Sequence, residues 1–154
     1  MVLFTQENIN IIEEKIEWQS AIKLAAQPLK DNGYIELKYI DAMIEIIDRL
    51  GSYIVIAPHV AIAHARPENG VNKIGLSLLK NNVPIDFNLD KKEIFDEEKE
   101  VHIIIVLAAV DNKEHLGLLQ QLSKVIDDNI KIEEIIKADN AIDLSTLIDK
   151  YINS

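Results

Sequence analysis

The residues best suited to chemistry in this sequence are its histidines, two of which lie close to an arginine. His59, His64 and Arg66 belong to the segment 57–70, between the end of a predicted strand and a turn-rich stretch. Loops at strand ends are where α/β folds place reactive groups. Imidazole can accept a group and pass it on near neutral pH, because its neutral form is well populated there. The segment is therefore a candidate site for group-transfer chemistry.

A third histidine, His115, follows a predicted helix start. Asp111 stands three residues before Glu114, which is the spacing of a capping box, so His115 should lie in the first turns of the helix. The start of a helix attracts anions such as phosphate and favours a neutral imidazole over a charged one. One histidine after a strand and another at a helix start indicate a phosphoryl site as one candidate.

Other uses of the histidines stay open at this point. A metal site could combine His59, His64 and His115, but the first two lack i, i+4 helical spacing and no nearby carboxylate completes the set. His59 can also be a turn residue beside Pro58, an interpretation we place slightly ahead of a chemical role. His102 starts an apolar strand and is best explained as structural. A serine hydrolase is disfavoured, because the sequence has no Gly-x-Ser-x-Gly segment.

The composition excludes several classes of protein. The chain has 154 residues, 48% apolar and 27% charged, which indicates one globular domain spanning 1–154. A net charge of -10 disfavours nucleic acid and anionic lipid as main partners, since no basic patch offsets it. The absence of cysteine removes disulfides, thiolate metal sites and thiol nucleophiles. Arg49 and Arg66 are the only arginines, and both lie near the histidine segment.

The sequence also predicts where the protein is found. No run approaches the roughly 18 apolar residues that a membrane-spanning helix needs. The segment 1–10 lacks the basic start and long apolar centre of a secretory signal. We therefore expect a cytoplasmic protein.

Two helices are predicted before the histidine segment. Apolar residues recur at helical spacing over 17–30 and over 37–50. Pro28 should kink or close the first helix, with Gly33 available for its C-terminal turn. Gly51 should end the second helix.

The histidines should be positioned by short strands. The candidate strands are the runs 53–57, 61–65, 74–80, 83–87 and 101–108. We expect 53–57 to be buried and 101–108 to be a central strand covered on both faces. A turn at Asn81-Asn82 should join two of the runs into a hairpin-like pair, and 89–100 should be a solvated loop.

Helices should close the chain. The helix that begins at Asp111 is expected to bury a face formed by Leu116, Leu119, Leu122 and Ile126. Two shorter helices are predicted near 132–137 and 142–151. Strands interleaved with helices predict an α/β fold, a three-layer α/β/α sandwich with a mixed β-sheet flanked by helices on both faces.

Two separated segments resemble the IIA components of the bacterial sugar phosphotransferase system (PTS), of the mannitol/fructose type (type 2). The segment 53–71, followed by 74–78, is similar to the phosphorylation motif of that family. Its continuation Arg-Pro-Glu-Asn-Gly-Val at 66–71 is most similar to the ascorbate branch. The segment 108–119 is similar to the family's helix that carries a second active-site histidine, and the order of elements agrees across nearly the whole chain.

The resemblance implies roles for individual residues. His64 matches the family's phosphorylated histidine, and His115 matches the histidine that supports the phosphoryl group. Arg66 is a candidate phosphate-binding residue, and His59 is a weaker one.

The sequence departs from the family pattern at three places. Ala63 stands where the family usually has proline before the phosphorylated histidine, and His59 stands where relatives often carry a small residue. The stretch 45–47, Glu-Ile-Ile, occupies the part of the preceding helix where the mannitol type often carries an arginine. Arg66 is therefore the better candidate for the phosphate contact.

The resemblance further implies a relay of phosphoryl groups. The group would pass from phosphoenolpyruvate through enzyme I and phospho-HPr to this chain, and then to a separate IIB component. The membrane IIC component would be reached only indirectly, and no metal or other cofactor is needed. The ascorbate-like continuation favours transport of an ascorbate-like substrate. The alternative is a regulatory IIA-like protein whose histidine phosphorylation controls a transcription factor or a transporter.

Overall fold

The computed structural model describes residues 3–89 and 94–153. The strands of this part of the chain are β1 (Ile9–Ile12), β2 (Val55–Ala57), β3 (Val60–Ala63), β4 (Gly75–Asp86) and β5 (Glu100–Ala108). Its α-helices are α1 (Trp18–Asp31), α2 (Leu37–Leu50), α3 (Asn112–Ile126), α4 (Asn129–Lys137) and α5 (Ala141–Ile152). None of these helices is both long enough and apolar enough to cross a bilayer.

The five strands form one mixed sheet in the order β1-β4-β5-β3-β2. β3 runs parallel to β5 and β1 runs parallel to β4, whereas β4 is antiparallel to β5 and β2 is antiparallel to β3. β5 holds the middle position and is buried along almost its whole length, which confirms the prediction of a central strand. Because β3 and β5 are parallel neighbours, their carboxyl ends lie at the same edge of the sheet.

Helices cover both faces of the sheet, which confirms the predicted three-layer sandwich. On β5 the side chains alternate: Ile104 and Val106 pack with α1 and α2, while Ile103 and Ile105 pack with α3, α4 and α5. Each face therefore has its own hydrophobic cluster, and the sheet separates the two.

The predicted helices agree closely with the structure. α2 runs from Leu37 to Leu50 and ends at Gly51, whose positive φ of 79° suits glycine. α1 continues through Pro28 for one further turn to Asp31, and Gly33 then takes a φ of 77°.

The run 53–57 is not the buried strand that its apolar residues predict. Ser52–Ile54 form a 3₁₀ turn, and only Val55–Ala57 continue as the edge strand β2. Ile56 is 50% exposed, as expected of a strand at the edge of the sheet.

The predicted hairpin at 74–87 is wrong, since this stretch is the single long strand β4. Both of its halves pair with β5, as in Leu78 with Ile105 and Ile85 with Val101, and the register shifts between the halves. Asn81 is fully buried, and its side chain bonds the backbone of Glu14 and the N–H of Val83. These bonds satisfy a polar side chain within the strand, so the Asn pair forms a bulge where its sequence predicts a turn.

The strand β1 lies outside the predicted elements. It has only four residues, and because one of them is Asn10 its hydrophobic pattern is too weak to indicate a strand.

Two further expectations need adjustment. Leu116 is 58% exposed, because the buried stripe of α3 follows Leu118, Leu122 and Val125. The expected solvated loop 89–100 lies partly outside the described residues, and Glu97–Lys99 within it form a 3₁₀ turn.

Candidate functional site

His64 follows β3 directly and is half-buried at the edge of the sheet. All four residues of β3 are buried, since this inner strand is covered on both faces. The small residues Ala61 and Ala63 face α1 and α2, whereas Val60 and Ile62 face the other helical layer. β3 pairs with β5 as far as Ala63, so His64 lies directly after the last paired residue of the strand.

His115 reaches the same edge from the start of α3. The side chain of Asp111 accepts a hydrogen bond from the N–H of Glu114 (2.8 Å), and the carboxylate of Glu114 accepts one from the N–H of Val110 (2.9 Å). The first bond is the helix cap that the sequence predicts, and the second reaches the N–H of the residue before the cap, so the pair is a variant of the capping box. The N–H of His115 donates to the Asp111 carbonyl (3.1 Å), which closes the first turn of the helix. The imidazole therefore sits at the positive end of the helix dipole.

The structure brings the two imidazoles together. The ring centroids of His64 and His115 are 4.8 Å apart, and the ring planes are inclined by 65°. Two rings this close resist carrying positive charge at the same time, because like charges repel most strongly when partly buried. The arrangement therefore favours neutral imidazole at the position that matches the family's phosphorylated histidine.

Burial acts in the same direction on His64. Burial lowers the pKa of the His64 imidazole, the neighbouring His115 lowers it further, and the backbone of Ile62 opposes the shift. Nδ1 of His64 is buried and has no hydrogen-bond partner among the described residues. A neutral imidazole keeps one N–H and one nitrogen lone pair, and the lone pair is what a nucleophilic ring nitrogen presents.

Both histidines line an open pocket of about 320 Å³. The other lining residues are Ile46, Arg49, Leu50, Tyr53, Ala65, Arg66, Pro67 and Asn112. Two guanidinium groups therefore border the pocket of a protein whose net charge is -10. Two arginines, two imidazoles and a helix N-terminus are a donor set suited to phosphate.

Arg49 is the residue of this pocket that the sequence analysis missed. It lies in the last turn of α2, the helix in which the stretch 45–47 was compared with the family's arginine. Arg49 follows that stretch by two residues, and its side chain lines the pocket. The sequence did hold a clue to Arg49, because both arginines of the chain lie near the histidine segment. Both of them line the pocket.

Arg66 lies at the rim of the pocket. Its side chain is 83% exposed and forms an ion pair with Glu68 at 3.9 Å. A contact between two exposed charges is weak and easily exchanged, so the guanidinium can turn towards an anion in the pocket.

His59 is not brought to the pocket. It precedes β3, whereas His64 follows β3, so the length of the strand separates the two histidines. His59 adopts a positive φ of 67°, and its Nδ1 lies 2.8 Å from the carbonyl oxygen of Glu100. This geometry fits the turn residue of the sequence analysis and does not support a phosphate contact beside His64.

The three histidines of the metal alternative likewise do not come together, because His59 lies at the opposite end of β3 from the pair formed by His64 and His115. His59 instead lies near His102, with ring centroids 5.9 Å apart, and Nδ1 of His102 lies 2.8 Å from the carbonyl oxygen of Asn81. Within residues 3–89 and 94–153, no group of three or more histidine, cysteine or acidic side chains could hold a metal ion.

Comparison with known proteins identifies relatives of the whole chain. A family model described as "Phosphoenolpyruvate-dependent sugar phosphotransferase system, EIIA 2" matches residues 2–151. The ascorbate-specific PTS system EIIA component of Escherichia coli strain K12 is 34% identical over 128 residues, which cover 82% of this chain and 79% of the relative.

Solved structures share the fold. The mannitol-specific cryptic phosphotransferase enzyme IIA of Escherichia coli, determined in solution, superposes with a TM-score of 0.83 at 29% identity, covering 96% of each chain. Enzyme IIA for mannitol from Escherichia coli, solved in complex with phosphorylated enzyme IIB, superposes with a TM-score of 0.79 at 22% identity, covering 96% of this chain and 97% of the other.

Proposed function

Because the chain belongs to the EIIA 2 family of the phosphoenolpyruvate-dependent sugar phosphotransferase system, we propose that its His64 carries the phosphoryl group. The donor is phospho-HPr, and the acceptor is a separate IIB component. The observation that carries the proposal is the contact of His64 with His115, at 4.8 Å between ring centroids, in a pocket bordered by both arginines of the chain.

The transfer begins with a neutral His64. Its Nε2 lone pair attacks the phosphorus of phospho-HPr in line, and a new P–N bond forms as the P–N bond to the donor imidazole breaks. The donor nitrogen keeps the electron pair, and the His64 proton stays on Nδ1, which is buried. The lowered pKa of His64 keeps the nucleophile unprotonated near neutral pH.

The remaining groups of the pocket stabilise the transferred phosphoryl group. Phosphoryl transfer leaves little covalent work to the protein, so positioning and charge stabilisation determine the rate. His115 and the backbone N–H groups at the start of α3 face the developing charge from one side. Arg49 and Arg66 contribute guanidinium groups from the other elements of the pocket. The exchange joins two nitrogen atoms of similar basicity, so no metal or other cofactor is required.

In the second step the phosphoryl group passes from His64 to the IIB component. A cysteine thiolate of the IIB component attacks the phosphorus, and an S–P bond forms as the P–N bond to His64 breaks. The His64 nitrogen keeps the electron pair, so the neutral imidazole is restored. The structure of enzyme IIA for mannitol with phosphorylated enzyme IIB supports this choice of partner, because that protein shares the fold of this chain. The relay starts from phosphoenolpyruvate, so it operates on the cytoplasmic side of the membrane.

The substrate class that we favour is ascorbate-like. The support is the segment 66–71 beside His64, which resembles the ascorbate branch. Overall identity does not separate the branches, since an ascorbate-specific and the cryptic mannitol component are 30% and 31% identical to this chain over 149 residues. The membrane component selects the sugar, and uptake assays with the matching IIB and IIC components decide between the substrates.

The direct test is the mass of the intact protein after incubation with phosphoenolpyruvate, enzyme I and HPr. We expect wild type to gain one acid-labile phosphoryl group and His64→Ala to gain none while keeping its fold. A phosphorylated His64→Ala protein would overturn the assignment. Phosphorylated wild type that never passes the group to IIB would instead favour the regulatory alternative.

A further inference from the structure

A buried tyrosine hydroxyl lies between the strand ends that carry the site. Tyr39 belongs to α2 and is 1% exposed. Its hydroxyl oxygen accepts a hydrogen bond from the N–H of Ala65 (3.0 Å), and the hydroxyl donates to the carbonyl oxygen of Leu107 (2.7 Å). The carbonyl of Ala65 is also near the hydroxyl oxygen, at 3.3 Å. One phenol therefore joins the residue after His64 to the end of β5.

The hydroxyl of Tyr39 takes the place of a backbone hydrogen bond between β3 and β5. The ladder of β3 and β5 pairs Ala63 with Val106. In a parallel ladder continued by two residues, the N–H of Ala65 would donate directly to the carbonyl of Leu107. The hydroxyl of Tyr39 stands between those two groups and bonds both of them. The two strands are thus held apart where His64 leaves the sheet, without leaving either backbone group unsatisfied.

Packing alone does not account for the hydroxyl. A phenylalanine would fill nearly the same volume, and a buried hydroxyl stabilises a structure only when its hydrogen bonds are made. Burial also raises the pKa of Tyr39 to about 12, so the hydroxyl keeps its proton and remains a donor at neutral pH. Its donor and acceptor capacity is used on the backbone, so Tyr39 does not contact the phosphoryl group itself.

We infer that Tyr39 is a positioning residue, which holds the strand ends apart so that His64 lies against His115 at the mouth of the pocket. The inference deepens the proposed function and rests on it. Without the hydroxyl, Ala65 either bonds Leu107 directly and draws His64 inward, or loses its partner and loosens the segment. In both cases the imidazole moves relative to His115 and Arg66, and a displacement of about 1 Å in a reacting group can cost ~100-fold in rate.

The test compares Tyr39→Phe with wild type and with Tyr34→Phe. The control makes the same chemical change at a half-buried tyrosine outside the pocket, whose ring lies near Lys73. Thermal unfolding verifies that each variant is folded. Histidine ring nitrogen signals in nuclear magnetic resonance spectra report the environment and pKa of His64 without any phosphoryl donor, and transfer from phospho-HPr is then followed at several HPr concentrations.

We expect Tyr39→Phe alone to shift the ring signals of His64 and to lower kcat for transfer between about 10-fold and 100-fold, with the KM for phospho-HPr little changed. Unchanged ring signals and rates in folded Tyr39→Phe would overturn the inference. Should that variant fail to fold, amide hydrogen exchange on wild type decides, since an unprotected Ala65 N–H would exclude the bond to Tyr39. Wild type that accepts no phosphoryl group overturns the proposed function, while the ring signals still decide the role of Tyr39.

Discussion

The imidazoles of His64 and His115 meet edge to face, with ring centroids 4.8 Å apart and planes inclined by 65°. One ring is delivered by the end of β3 and the other by the first turn of α3, so the contact depends on the parallel pairing of β3 with β5. The closeness of the rings links the charge on one to the charge on the other.

His64 should still accept phosphoryl groups at pH values below 6.5, where a histidine with the ordinary pKa of 6.5 is mostly protonated. Burial and His115 lower the pKa of His64, so the neutral nucleophile survives as the pH falls through 6.5. The rate of phosphoryl acceptance, measured between pH 5 and 8 with the donor in excess, should decline only below that value. A nuclear magnetic resonance titration that gave His64 a pKa above 6.5 would contradict this prediction.

The lowered pKa of His64 should also make the free energy of unfolding depend on pH. In the unfolded chain His64 binds its proton at the ordinary pKa of 6.5, whereas in the folded chain it does so only at lower pH. Its contribution is therefore present above pH 6.5 and is lost as the pH falls below that value. Urea unfolding of wild type and His64→Gln should show a stability difference that changes over this pH window, and a difference independent of pH would exclude the linkage.

His115→Ala should separate binding from transfer. The variant should still bind HPr, because most of the surface around the pocket is unchanged. Transfer should slow by about 10²–10³-fold, since one preorganised group that stabilises the transferred charge is gone. The pKa of His64 should rise in the same variant, because His115 contributes to its lowering. Unchanged transfer would reduce His115 to a residue of the helix start.

The two arginines should differ in importance. Arg49 lines the pocket from the last turn of α2, whereas the side chain of Arg66 is 83% exposed and paired with Glu68. We expect Arg49→Ala to slow phosphoryl acceptance by about 100-fold, and Arg66→Ala to slow it by less than about tenfold. The two variants serve as controls for each other in one transfer assay. A larger loss from Arg66→Ala would reverse the ranking.

Two glycine substitutions should change stability in opposite directions. A Cβ at Gly75 would lie 2.7 Å from the ring of Tyr34 and 3.0 Å from Leu29, so Gly75→Ala should destabilise by about 1–3 kcal/mol through overpacking. A Cβ at Gly117, inside α3, would meet nothing within 4 Å, so Gly117→Ala should stabilise by about 0.5–1 kcal/mol through helix propensity. Denaturant unfolding measures both changes, and a stable Gly75→Ala protein would show that Tyr34 moves aside freely.

The elements that depend on neighbours along the chain could be predicted from the sequence. The bounds of α2, its end at Gly51 and the helix cap at Asp111 follow from periodicity and from backbone groups a few residues apart. The central strand could also be predicted, because a run as apolar as 101–108 is stable only when covered on both faces. The segment that ends in His64 was recognisable because its residues are contiguous.

The composition of the pocket required the tertiary structure. Arg49 enters it because α2 packs on the sheet with its last turn at the edge where β3 ends. His59 is excluded although it lies close to His64 in the sequence, since a strand places its two ends far apart. The sequence alone established which residue types and local elements are available. Only the strand order and the packing of α2 decided which side chains meet, because contacts between distant segments depend on the whole arrangement of helices and strands.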